Sequence, residues 1–153
     1  MGRAVKDYYD NPPVVIPPGK YELKYECHVT RKIFTAGKVY LFFRVASFGP
    51  YFETILARHY NCTLIGKPGG SGKFKAGWRS NLMREFVGIT GKRPQRNDRV
   101  PLGDLRNCLI IGTVRTVDKG SDQSEIHGEL QYSVISRLEP GLGPIPMPIP
   151  TPT

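Results

Sequence analysis

Lys20-Tyr21-Glu22-Leu23-Lys24-Tyr25-Glu26-Cys27-His28-Val29 alternates without a break: Tyr21, Leu23, Tyr25, Cys27 and Val29 interleave with Lys20, Glu22, Lys24, Glu26 and His28. Side chains of a strand point alternately to its two faces, so this period of two predicts a half-buried strand. Thr35-Ala36-Gly37-Lys38 supplies turn chemistry, and a second strand follows over Val39 to Val45. There Val39, Leu41, Phe43 and Val45 share one face while Tyr40, Phe42 and Arg44 share the other. Phe48-Gly49-Pro50 breaks the pattern, and Tyr51 to Tyr60 reads as a third strand that can extend through Cys62 to Ile65.

Beyond the third strand the signals change. Gly66 to Gly77 is rich in glycine and reads as a flexible loop. Ser80 can cap a helix whose apolar side is Leu82, Met83, Phe86 and Ile89, and Gly88 and Gly91 offer a stop. A basic connection, Lys92 to Arg99, leads to the β-rich run Leu109 to Val114. Asp118 to Asp122 carries hairpin chemistry. The last strand is Glu125 to Leu138, with Ile126, Leu130, Tyr132, Val134 and Leu138 on one side.

Three strands, a helix and two strands predict a mainly β fold. The order is that of a five-stranded OB-like barrel, with a generic α+β sheet as the competing architecture. Interior glycines such as Gly112 and Gly128 suit a closed, curved sheet. The ends differ from this body. Pro12, Pro13, Pro17 and Pro18 lock residues 1–18 into an extended arm, and residues 139–153 form a proline-rich tail, leaving the barrel domain at residues 19–138. A length of 153 residues suits one domain with a single core.

Charge narrows the function. The chain has 22 Lys and Arg against 13 Asp and Glu, a net +9 that favours polyanionic partners. Nine of the cations and two of the acids fall between Gly66 and Arg99, so this segment holds seven of the nine excess charges. Lys67, Lys73, Lys75, Arg79, Lys92, Arg93, Arg96 and Arg99 are the candidate phosphate contacts, with Trp78 beside them. Tyr40, Phe42 and Arg44 form a candidate base-stacking platform, which Arg58 and Tyr60 on the third strand would continue. Aromatics also fill cores and interfaces, so each ring competes with a purely structural role.

Several chemistries lack their residues. Gly66 to Phe74 superficially suggests a phosphate-cradling nucleotide loop, but Lys67 stands where that pattern needs Gly and Phe74 where it needs Ser or Thr. Cys27, Cys62 and Cys108 are scattered and form no CxxC pair, so neither a metal nor another cofactor is expected, and a reducing compartment is. They leave room for one disulfide. His28, His59 and His127 fall on separate segments, and no catalytic residues are expected, although a nuclease built from scattered carboxylates stays open. No apolar run is long enough for a signal sequence or a membrane span, so a cytoplasmic, membrane-free protein is expected.

The run Pro18-Gly19-Lys20-Tyr21-Glu22, followed by Thr35-Ala36-Gly37-Lys38-Val39-Tyr40-Leu41-Phe42-Phe43-Arg44-Val45, resembles the opening hairpin of small OB-type proteins of phages and other bacterial mobile elements. Those act as single-stranded DNA-binding or replication-accessory proteins. The resemblance spans residues 18–138 and implies an OB barrel, no catalysis, and binding across the second and third strands. By position it carries only Tyr40, Phe42 and Arg44. Bacterial single-strand binding proteins end in an acidic tail that recruits repair enzymes, whereas Pro144 to Thr153 contains no acid. A polyproline tail could instead dock on a protein partner's aromatic groove. The expected function is thus non-catalytic binding of single-stranded DNA or RNA in phage or plasmid DNA metabolism, with homo-oligomerisation open. A structural or protein-interaction module, such as a virion or assembly component, is the alternative.

Overall fold

The alternation that opens at Lys20 becomes the first strand of the computed structural model, which describes residues 14–119, 124, 125, 127 and 130–144. β1 (Gly19–Ile33) turns at Phe34-Thr35 into β2 (Ala36–Val45), which pairs in turn with β3 (Ile55–Ile65). A short β4 (Lys73–Lys75), the helix α1 (Asn81–Thr90) and a 3-10 helix (Leu102–Asn107) follow, then β5 (Cys108–Val117) and β6 (Tyr132–Pro144).

Among the described residues these strands make one antiparallel sheet in the order β4-β3-β2-β1-β5-β6. The fold is mainly β, as expected, but it is an open six-stranded sheet rather than a closed five-stranded barrel. β6 comes alongside β3, yet no ladder joins them among the described residues. Arg58 of β3, Arg84 and Glu85 of α1, and Ser136 and Arg137 of β6 line one cavity there, in the gap that backbone pairing would close.

The boundaries shift as well. The final strand starts at Tyr132 and runs to Pro144, so the folded body passes the expected limit at Leu138. Of the arm, Ile16 is buried and its N–H donates to Ser133 Oγ at 2.8 Å, which pins the chain before β1 to β6. Residues 1–13 and 145–153, which hold most of the expected arm and tail, lie outside the described residues.

Two bulges decide which side chains meet. The register of β1 against β2 shifts between Tyr25 and Cys27. An extra residue there flips everything beyond it, so Leu23 and Tyr25 face the core while Cys27 and Val29 join Phe42 and Tyr40 on the other face. A second shift, between Thr113 and Val114, turns Ile135 inward with Leu138 and puts Val134 opposite Arg115. The expected inward set on the last strand therefore does not hold; Leu130 and Tyr132 are exposed. Leu23, Val39, Leu41, Phe43, Ile110, Val114 and Ile135 build the core, covered by Leu82, Met83 and Phe86 of α1. A buried side chain of this size stabilises the fold by roughly 1.5–3 kcal/mol.

The helix follows its caps. Ser80 Oγ accepts from the Met83 N–H at 3.2 Å, and Gly91 ends the helix in the left-handed region at φ 75° with its N–H on Val87 O. No described helix is long and apolar enough to cross a membrane.

Candidate nucleic-acid interface

The glycine-rich segment is fastened, contrary to the flexible loop its composition predicts. Thr30 N–H donates to Gly69 O and Ser71 N–H to His28 O, both at 2.9 Å, while a bridge links Val29 and Gly70. His28 Nε2 lies 2.9 Å from Gly72 O. A Cβ on Gly72 would collide with the buried Thr30 hydroxyl, so glycine here permits close packing rather than motion. The segment thereby covers the stretch of β1 that β5 leaves unpaired.

This arrangement re-sorts the candidate residues. Phe42 is 4% exposed, so its ring offers no face to a base. Arg44 is held by Glu26 through two bonds of 3.1 Å and by Glu53 at 3.0 Å, which neutralise it. Arg58 and Tyr60 do not continue the platform. Leu41 pairs with Arg58 and Val39 with Tyr60, so both point to the core side. Arg58 makes a forked contact with Glu85 at 3.1 and 2.8 Å, and its guanidinium lies 4.4 Å from the Tyr60 ring centre. Tyr60 also donates to Glu85, and burial beside that carboxylate pushes the phenol far above its ordinary range. Arg58, Tyr60 and Glu85 together clamp α1 to β3.

Tyr40 keeps part of its expected place. It is half-buried and lies 5.6 Å, ring centre to ring centre, from His59. His59 opens onto a cavity of about 400 Å³ between the free stretch of β3 and the first turn of α1. Lys38, Arg58, Arg79 and Arg84 line it with Asn61, Ser80 and Asn81, and no carboxylate does. Lys38 Nζ donates to Asn61 Oδ1 at 2.5 Å and Arg84 to Asn81 Oδ1 at 2.7 Å, so neutral amides hold both cations at the rim. The start of α1 adds the positive end of its dipole. Burial and the charges of Lys38, Arg58 and Arg115 hold the His59 imidazole below its ordinary range, leaving it neutral at pH 7. Such a concave positive surface suits a phosphate chain.

The remaining cations divide. Lys73, Arg96 and Arg99 border a second cavity with His28 and Ser71, where Asp98 pairs with Arg96 at 2.7 Å. Trp78 is 46% exposed with the Arg93 guanidinium 5.8 Å from its ring centre. Lys67, Lys75 and Lys92 are exposed without lining either cavity. The residues missed from sequence are Lys38, His59, Asn61 and Arg84, which come together only through the β2–β3 register and the cap at Ser80.

Among the described residues no three His, Cys, Asp or Glu side chains are grouped to hold a metal ion. No protein-family model, no curated protein and no solved structure matches the chain.

Proposed function

We propose that the chain binds single-stranded nucleic acid, DNA foremost, and performs no reaction on it. The cavity between β3 and α1 carries this reading, because Lys38, Arg79 and Arg84 line it beside the Glu85-paired Arg58, with no carboxylate among its lining residues. Its Lys and Arg side chains would displace the counterions condensed on the strand's phosphates, the largest sequence-independent term in such binding. The Tyr40–His59 ring pair beside the cavity gives an aromatic surface at its edge. We read the curled sheet as an open relative of the OB-type barrel, on its strand order β3-β2-β1-β5-β6 and the helix between β3 and β5. This is the architecture that the resemblance to phage and mobile-element proteins implies.

The test is anisotropy of a fluorescein-labelled oligothymidylate against salt. Three phosphate contacts, at Lys38, Arg79 and Arg84, correspond to a slope of about −2 in log affinity against log salt. Binding that is absent at low salt, or flat across the series, overturns the reading.

A second reading has one observation in its favour. Phe48 is 94% exposed and stacked on Phe52 at 5.8 Å, an apolar projection that suits a protein-interaction module. Size-exclusion chromatography with and without oligonucleotide separates the two: a large assembly indifferent to nucleic acid favours the module.

A further inference from the structure

The β1–β2 turn exposes a residue that the fold does not explain. Phe34 is 95% exposed, so its ring contributes almost nothing to the core. Its backbone sits at φ 56°, where glycine or asparagine costs least and a bulky side chain is strained. The residue is thus doubly unfavourable for stability, and strain of that kind concentrates where a surface is used.

Its surroundings indicate the user. No acidic residue occurs between Glu26 and Glu53. Lys32 precedes the turn, and Lys38 stands opposite Arg31 in the ladder, placing like charges on one face. Lys38 also lines the cavity beside α1. Lys38 is the third residue of β2, which directly follows the Phe34-Thr35 turn, so the turn and the cavity can share one extended ligand. Phe48, equally exposed, has one ring face occupied by Phe52 and stands near Glu53; no ring packs on Phe34 among the described residues.

We propose that Phe34 is a base-stacking residue: an unpaired nucleobase lies on its ring while Lys32 and Lys38 meet the neighbouring phosphates. This rests on the nucleic-acid reading above and adds a contact to it. A lone ring offers too little apolar area to anchor the chain in a lipid surface, which favours the base.

The experiment compares wild type, Phe34→Ala and Phe34→Trp with three probes: a twelve-nucleotide oligothymidylate, inorganic polyphosphate, and vesicles containing anionic phospholipid. Phe34→Ala is expected to bind the oligonucleotide about tenfold more weakly, within the range for one stacked base, and polyphosphate as tightly as wild type. Phe34→Trp is expected to gain a quench on oligonucleotide binding beyond that of the wild-type Trp78 signal, and none with polyphosphate. Phe34→Gly, melting at or above the wild-type temperature, would show that the turn itself does not need the ring. Oligonucleotide binding that is unchanged in Phe34→Ala overturns the stacking role while leaving the nucleic-acid reading intact. A fluorescence change that Phe34→Trp gains only with vesicles overturns it in favour of a membrane. If wild type binds no oligonucleotide, the parent reading falls and this contact with it.

Discussion

The two ends of the β1-β2-β3 meander carry the same residue types and use them differently. At the β2–β3 end, Arg44 is bracketed by Glu26 and Glu53, Phe48 stacks on Phe52, and Tyr21 meets Tyr51 edge-on at 6.5 Å. At the β1–β2 end, Lys38 is held by a neutral amide, and Phe34 stands alone among the described rings. A cation or an aromatic ring is therefore no sign of a binding site by itself. What matters is whether the protein already supplies its carboxylate or its stacking partner.

The sharpest way to break this contrast is at the clamp that holds α1 against the cavity. Glu85→Ala leaves Arg58 buried without its counter-charge, and a loss of about 3 kcal/mol is expected in chemical denaturation. Glu53→Ala, which removes an exposed partner from Arg44, is expected to cost under about 1 kcal/mol. Equal losses would mean that the Arg58 pair is no more protected than the Arg44 pair.

Next is binding itself. Lys38→Glu with Arg79→Glu is expected to weaken oligonucleotide affinity about a hundredfold at low salt, because two attractive contacts become repulsive. Arg44→Ala should stay within about twofold in the same anisotropy titration. A comparable loss at Arg44 would erase the difference between the ends.

The glycine-rich segment gives a third comparison. Gly72→Ala drives a methyl into Thr30 and is expected to cost about 2 kcal/mol, read by thermal melting. Gly77→Ala meets only the Ser80 Cβ at 4.0 Å and should change stability by under about 0.5 kcal/mol.

The smallest effect is in pH. His59 titrates below its ordinary value, so above that point it adds no charge to the cavity; as pH falls through the lowered value it becomes a cation. Bound phosphates favour the protonated form, so affinity should rise as pH falls below the ordinary imidazole range. His59→Gln should flatten that rise.

Strands and helix are legible in the sequence because alternation and capping are local. Tyr21 to Tyr25 and Val39 to Val45 keep a period of two, and Ser80 and Gly91 bound the helix. Faces are not legible wherever a bulge or a register intervenes. Nothing in Tyr25-Glu26-Cys27 announces the extra residue that turns Val29 away from the core. Spacing alone makes Arg58 and Tyr60 companions of Tyr40, but pairing Tyr40 with His59 sends both to the other side. Glycine content predicts mobility, whereas Gly72 is small because Thr30 is close. The cavity is hidden for a related reason: Lys38, His59 and Arg84 are far apart in sequence and meet only through tertiary packing.

Backbone amide shifts of labelled protein, followed as a short oligothymidylate is added, test the central claim most directly. Perturbations are expected to gather at Lys32, Phe34, Lys38, His59, Arg79 and Arg84, and to leave Arg44, Phe48 and Glu53 unmoved. Perturbations centred on Phe48 and Glu53, or none at saturating oligonucleotide, would contradict it.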